Sequence, residues 1–257
     1  MMQAQQLRRA MQKGRPVIGS WLQLPCPDVA EIMAKAGYAW LAVDMEHGAF
    51  ERAALVEMFR AVRAGGAVPM ARLAGTRREQ CKAALEAGAQ GLIFPMIESR
   101  NQLDAAFAEA LYPQAGGVRG VGYCRANGYG QDMHRGLQQA GQVLLVAQIE
   151  HKRALMHIDA LVSHPRLDAI MVGPYDLSAS LGKQGEKTGC FNDPEFIDAM
   201  AEITQACARH HVPMGAHIVH PNPQQLKEYI GQGYTFLAYG IDSVFLWQHA
   251  ACPCVVP

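Results

Sequence analysis

The stretch Val143–Gly182, VLLVAQIEHKRALMHIDALVSHPRLDAIMVGPYDLSASLG, decides how the rest of the chain is read. It opens with an unbroken apolar run, Val143–Ile149, of a length suited to a strand buried on both faces. A helical pattern follows over Lys152–Val162. A second buried run, Ala169–Val172, leads through a Gly-Pro turn into another helix. Strand, helix, strand, helix, with a polar group closing each strand, is the signature of parallel βα units. Working outward, the same unit recurs. Short apolar runs stand at Val17–Leu22, Trp40–Asp44, Val68–Arg72, Gly91–Phe94, Met214–His217 and Thr235–Ala238. Helical patterns lie between them at Pro27–Lys35, Glu51–Arg63, Thr76 to Glu86, Arg100–Leu111, Asp193–His210 and Pro223–Ile230. Thr76 and Glu79 have capping-box spacing. Eight alternations in 257 residues predict a single-domain (β/α)8 TIM barrel over residues 1–257. The rival, a doubly wound open sheet, normally carries a Gly-rich turn after its first strand, and none stands here. Asp242–Ala251 reads as an apolar last helix before a CPCVVP tail, suited to docking on a neighbouring subunit.

Composition narrows the function. Half the residues are hydrophobic and 18% are charged, which supports a sizeable core and excludes wholesale disorder. Lys+Arg and Asp+Glu both count 23, so no net field is available to hold nucleic acid or an anionic membrane. Nothing approaches the roughly 18 consecutive apolar residues of a membrane helix. The N-terminal MMQAQQLRRAMQKGRP lacks the apolar centre of a secretory signal. Seven cysteines, an odd and mostly scattered set, make a poor disulfide framework, and the expectation is reduced thiols in the cytoplasm.

In a (β/α)8 barrel the chemistry sits where strands end. The second apolar run ends in Asp44-Met45-Glu46-His47, the third in Arg72, the fifth in Gln148-Ile149-Glu150, and the seventh in His217. The sixth runs into Gly173-Pro174-Tyr175-Asp176. Glu150 and Asp176, on neighbouring strand ends, would repel unless a cation stood between them. Hard oxygen ligands without thiolates favour Mg²⁺ or Mn²⁺ over Zn²⁺. Arg72 either pairs with one of those carboxylates or aims a fixed positive charge at an oxyanion. His47, three residues after Asp44, reads as a general base oriented by that carboxylate. The Gly-Pro turn exposes backbone N–H groups at a helix start, which suits a small anion such as a carboxylate. The long segment Tyr112–Arg135, which includes Cys124, is expected on the C-terminal face, because segments of this length are usually functional. Together these groups suit metal-dependent aldol chemistry on a small 2-oxo acid. A Schiff-base route needs a strand-end lysine, and no predicted strand contains one.

These motifs resemble those of the HpcH/HpaI family of class II pyruvate aldolases. The resemblance runs through GSWLQL, LAVDMEHGAF, PMARL, ALEAGAQGLIFPMI, GGVRGVG, QIE, AIMVGPYDLSASLG and GYTFLAYGID. It implies a barrel whose last helix is swapped between subunits of a hexamer, a trimer of dimers. It implies that Glu150 and Asp176 hold Mg²⁺, Mn²⁺ or Co²⁺, that Arg72 binds the C2 oxygen, and that His47, oriented by Asp44, moves the proton. Gln148 would lie beside the pyruvate, and the Gly173–Asp176 backbone would hold its carboxylate. Glu86 stands where relatives carry an acid that reaches a neighbouring subunit's site. Departures at Tyr175, at His217 with His220, and in the segment carrying Tyr123, Arg125, Asn127 and Tyr129 imply a more polar aldehyde pocket. The expected partners are a 2-oxo acid and an aldehyde. The rival reading is a citrate-synthase-like condensation of oxaloacetate with acetyl-CoA, as in a siderophore pathway.

Overall fold

A computed structural model describes residues 3–250 and 252. Eight parallel strands close into a barrel in sequence order: β1 (Val17–Leu22), β2 (Trp40–Asp44), β3 (Val68–Arg72), β4 (Gly91–Phe94), β5 (Leu144–Ile149), β6 (Ala169–Val172), β7 (Met214–Ile218) and β8 (Phe236–Ile241). Five of the eight have the bounds expected from their apolar runs. The last differs most: β8 continues through Tyr239 and Gly240, where the apolar run breaks. An irregularity between Gly19 and Trp21 lets β1 pair with it as far as Ile241.

The outer helices are α2 (Pro27–Lys35), α3 (Arg52–Ala64), α4 (Arg78–Ala87), α5 (Arg100–Ala110), α6 (Met133–Ala140), α7 (Ile158–Val162), α8 (Pro174–Leu181), α9 (Pro194–Arg209), α10 (Pro223–Gly231) and α11 (Asp242–His249). Two expectations are corrected. The Thr76/Glu79 capping box does not form: α4 begins after Arg77, which makes no side-chain cap bond. Lys152–Val162 is a 3₁₀ turn over Lys152–His157 followed by the short α7. The predicted terminal helix stops at His249, and most of the CPCVVP tail lies outside the described residues.

Two apolar layers hold the barrel, and strand parity separates them. Leu41 and Val43 of β2 join the outer layer against the helices, whereas Trp40 and Ala42 join the inner layer. Inside, Trp40 stacks on Phe236 with ring centroids 4.5 Å apart. Gly19 makes this possible, since a Cβ there would lie 2.0 Å from the Trp40 ring. A helix absent from the sequence reading, α1 (Ala4–Gln12), closes the floor. Its Ala4, Leu7 and Met11 pack into the inner layer. Arg8 donates to the Asp168 carboxylate and to Val143 O, fastening α1 beneath β5 and β6.

Candidate active site

The inward parity of each strand carries on past its apolar residues to the open end of the barrel. After Trp40 and Ala42 the next inward position is Asp44; after Val68 and Met70 it is Arg72; after Leu144 and Val146 it is Gln148, then Glu150. Trp21 is followed by Gln23, and Met171 by Gly173. One alternation therefore supplies an apolar interior and a polar mouth from the same strands.

Asp44 and Arg72 form the centre. They lie opposite one another in the β2–β3 register. Arg72 donates from Nε to Asp44 Oδ1 at 2.9 Å and from Nη2 to Oδ2 at 2.6 Å, a bidentate pair. Burial alone would raise the Asp44 carboxyl, but the hydrogen bonds and charge of Arg72 outweigh it and hold Asp44 below its ordinary value. The guanidinium lies over the Trp21 ring, 4.7 Å from its centroid, and its Nη1 stands 3.5 Å from Glu46. Arg72 thus pairs with Asp44 and Glu46, not with Glu150 or Asp176. The expected orientation of the His47 ring by Asp44 is corrected: both carboxylate oxygens are taken by Arg72 and Gln23. Asp44 reaches His47 only by accepting its backbone N–H at 3.3 Å. The exposed His47 ring has Glu46 as its nearest carboxylate, 3.9 Å away.

Two residues of this cluster were not singled out from the sequence. Gln23 Nε2 donates to Asp44 Oδ2 at 3.0 Å, while its Oε1 accepts from Ser243 Oγ and its backbone N–H donates to the buried Asp242. The β1 end is thereby tied to the start of α11, and both to Asp44. Glu46 has a buried Oε2 without a hydrogen-bond partner among the described residues. Its carboxyl is raised by burial, against the lowering charges of Arg72 and His47. The signal for both was parity, since Gln23 and Glu46 continue the inward positions Trp21 and Asp44. We expect Gln23→Leu to slow turnover roughly 10-fold by loosening Asp44 and Arg72. Circular dichroism should be unchanged, and an unaltered kcat would show that Asp44 needs no such support.

Glu150, buried, faces the second cluster. Its Oε2 accepts the Met96 N–H at 2.8 Å and its Oε1 accepts from Gln148 Nε2 at 2.6 Å. Burial drives its carboxyl up to about 7; the Met96 N–H offsets part of this, and the nearby charges of Glu46 and Asp176 raise it further. Gly173 has no side chain for a reason of space, because a Cβ there would lie 2.2 Å from Glu150 Oε1. Gln148 Oε1 is buried without a hydrogen-bond partner among the described residues. A crowded, raised carboxylate, two like charges beside it and orphaned acceptors form a donor set that fits a hard cation. Among the described residues no group of three or more His, Cys, Asp and Glu side chains could hold a metal ion. A cation here would therefore take two carboxylates, leaving other positions for water and substrate.

Pro174, Tyr175 and Asp176 open α8, with Gly173 as its N-cap residue. Tyr175 packs edge-on against Phe191, centroids 5.1 Å apart, and remains half exposed. His217 stands at the mouth against Trp21, centroids 5.6 Å apart, with Nε2 3.3 Å from Gly240 O. Burial pulls its pKa down to about 3, only partly offset by the Gly240 carbonyl, so it is neutral at physiological pH. An unfolded chain takes up a proton at this residue from about pH 6.5 downward and the folded chain does not. Stability is therefore lost as pH falls from about 6.5 toward 3. We expect His217→Asn to flatten that acid-side loss in urea titrations at stepped pH; an unchanged slope would place the proton uptake elsewhere.

The structure does not bring Arg125 to this site. The segment Tyr112–Arg135 follows α5 instead of β4, so it returns the chain to the N-terminal face, opposite the mouth. There Arg125 Nη1 donates to Ala87 O at 2.9 Å, at the last residue of α4. Asn127 braces the segment, accepting from Cys124 N and Gly130 N and donating to Gly122 O. Tyr123 and Tyr129 are exposed, and Cys124 is buried. Glu86, on α4, pairs with Arg52 at 3.0 Å.

Fold and site together define a (β/α)8 barrel whose mouth gathers carboxylates around one partly buried arginine. The sequence profile of the HpcH/HpaI aldolase/citrate lyase family matches residues 17–248, and the chain belongs to that family. It is a carbon–carbon lyase, and its family is generally dependent on a divalent metal. It is 33% identical to a hydroxypyruvate/pyruvate aldolase of Paraburkholderia phytofirmans, covering 93% of this chain and 92% of the relative. It is 34% identical to a 4-hydroxy-2-oxovalerate aldolase of Novosphingobium aromaticivorans, covering 92% and 88%. A solved HpcH/HpaI aldolase/citrate lyase family protein from Burkholderia cenocepacia superposes with a TM-score of 0.88 at 30% identity, covering 95% of this chain and 96% of that one. Among the described residues, no helix is long and apolar enough to cross a membrane.

Proposed function

We propose that this protein reversibly cleaves a 4-hydroxy-2-oxo acid to pyruvate and an aldehyde. The observation that carries this reading is the set of Glu46, Glu150 and Asp176 at one barrel mouth, with Arg72 as the fixed cation beside them. Two of its relatives are named for acids of this kind, 4-hydroxy-2-oxovalerate and 4-hydroxy-2-oxo-heptane-1,7-dioate. Glu150 and Asp176 would hold the divalent cation, Mg²⁺, Mn²⁺ or Co²⁺, and Gln148 would flank it. When bound, the cation supplies Lewis-acid polarisation of the 2-oxo group.

The chain's own residues do the rest. Arg72, held by Asp44 through Nε and Nη2, has Nη1 left to donate to the oxygen at C2 as negative charge develops there. The backbone N–H groups of Tyr175 and Asp176, in the first turn of α8, hold the substrate carboxylate; the Gly173 N–H is already taken by Ile149 O, and Pro174 sets the turn. His47 moves the proton at C3 or on the 4-hydroxyl, through water, since its ring is open to solvent. His217, neutral, lines the mouth over Trp21 and meets the aldehyde portion.

We further infer a hexamer, a trimer of dimers in which α11 docks on a neighbouring subunit. Leu246 and Trp247 of α11 are 60% and 61% exposed, a cost that a second copy of the chain would remove. Glu86, paired with Arg52 on the flank, would then reach a neighbour's site.

The test is exchange of the C3 protons of pyruvate for deuterium, followed by NMR, which needs no knowledge of the aldehyde. Metal-stripped protein should be inactive, and Mn²⁺ or Mg²⁺ should restore exchange. Pyruvate binding without exchange in the restored protein would refute the aldolase reading.

A further inference from the structure

A second site lies at the other end of the barrel. A cavity of about 410 Å³ opens where the α4–β4 corner, the segment after α5 and the start of α1 meet. Four arginines line it, Arg63, Arg119, Arg125 and Arg135, and among the described residues no Asp or Glu does. Its other polar walls are neutral, among them Tyr112 and Gln90. In a chain whose charges balance overall, this is a marked local excess of one sign.

Arg119 is the informative member. It is 4% exposed, and its guanidinium lies over the Tyr112 ring, 4.4 Å from the centroid. Its Nε and Nη2 are buried and have no hydrogen-bond partner among the described residues. A planar cation with unused donors is expensive to bury unless an acceptor meets it. Arg125 is set against the same wall at a glycine. A Cβ on Gly88, whose φ is +112°, would lie 2.0 Å from Arg125 Nη1. Burial, and then the charges of Arg63 and Arg60, lowers the tendency of Arg125 to stay protonated, outweighing the opposing effects of Tyr129 and Glu57.

We propose that this cavity is a binding site for a small dianion, one carrying carboxylate or phosphate groups, that seats on Arg119 and Arg125 with Arg63 and Arg135 at the rim. Guanidinium forks match the planar or tetrahedral oxygens of both groups, and a cavity of this size holds a small metabolite. The site borders the starts of β4 and β5, through Gln90 and Val143, whereas the catalytic mouth lies at the strand ends. Occupancy is therefore independent of the 2-oxo acid.

The experiment is calorimetric titration of the metal-loaded protein, saturated with pyruvate, with inorganic phosphate in one arm and malonate in the other. We expect one anion per chain, bound with a Kd near or below about 1 mM and weakened by added NaCl. Arg119→Gln should abolish binding, and Arg63→Gln with Arg135→Gln should weaken it about tenfold. If Arg119→Gln fails to fold, Arg125→Gln carries the test, with a loss of about tenfold expected. Preference for phosphate assigns a phosphorylated ligand, and preference for malonate a dicarboxylate; either supports the site. Two results would overturn it: no heat from either anion at about 10 mM, as competition with the saturating pyruvate would give, or unchanged affinity in the arginine variants. None of these outcomes depends on whether pyruvate exchanges its protons.

Discussion

Glu150→Gln should remove the metal-dependent exchange of pyruvate C3 protons almost entirely, a loss of about 10³-fold or more, and Asp176→Asn should do the same. The argument rests on charge. Glu150 is pushed up to about 7 by burial and by the neighbouring carboxylates Glu46 and Asp176, so in the cation-free protein it is ionised only at a cost. A divalent cation reverses that cost, and an amide cannot. Two consequences have opposite pH signs. Cation-free protein binds a proton at Glu150 that the unfolded chain has released by about pH 4.5. Its stability therefore falls as pH rises from there through about 7. Cation affinity runs the other way and falls as pH drops below about 7, because proton and cation compete for one carboxylate. Titrating Mn²⁺ into wild type and Glu150→Gln at stepped pH reads both. An affinity independent of pH between 6 and 8 would remove Glu150 from the cation site.

Arg72→Ala should be the second severe change, and it should differ from the first by showing in stability as well as in rate. Asp44 is fully buried, and Arg72 supplies two of its hydrogen bonds. Removing the arginine leaves a buried carboxylate with Gln23 as its remaining side-chain donor, at a cost of about 3–5 kcal/mol. In catalysis, one well-placed donor to a developing oxyanion is worth about 10²–10³ in rate. Asp44→Asn with Arg72→Met, a neutral pair of similar size, separates the effects. It should recover much of the stability and none of the exchange. Recovery of exchange in that double variant would mean that Arg72 serves only to neutralise Asp44.

Much of this was legible in the sequence because one rule governs both layers of the barrel. Short apolar runs gave five strands to the residue, and inward parity carried Asp44, Arg72, Gln148 and Glu150 to the mouth with no further information. What escaped was whatever parity does not fix. Asp44 pairs with Arg72 and not with the His47 ring because the β2–β3 register sets them opposite, and register is a relation between strands. Tyr112–Arg135 reads from its length, between the fourth and fifth strands, as a working loop of the C-terminal face, which is the wrong face. Its place after a helix, and not after a strand, decides the face. The α1 plug was missed because its apolar residues, Ala4, Leu7 and Met11, bury beneath the strands and not beside the next helix.

The α1 plug also sets an order of assembly. Arg8 meets Asp168, 160 positions further on, and β1 meets β8 across an even longer interval. α1, made before the strands, thus has no floor to seal until β5 and β6 exist. During translation Leu7 and Met11 stay without their partners while most of the barrel is made, and contacts this distant in sequence form slowly. The interval in which Leu7 and Met11 lack their partners is therefore set by the sequence distance from α1 to β5 and β6. A variant with a more polar α1 would trade final stability for a safer route to the fold.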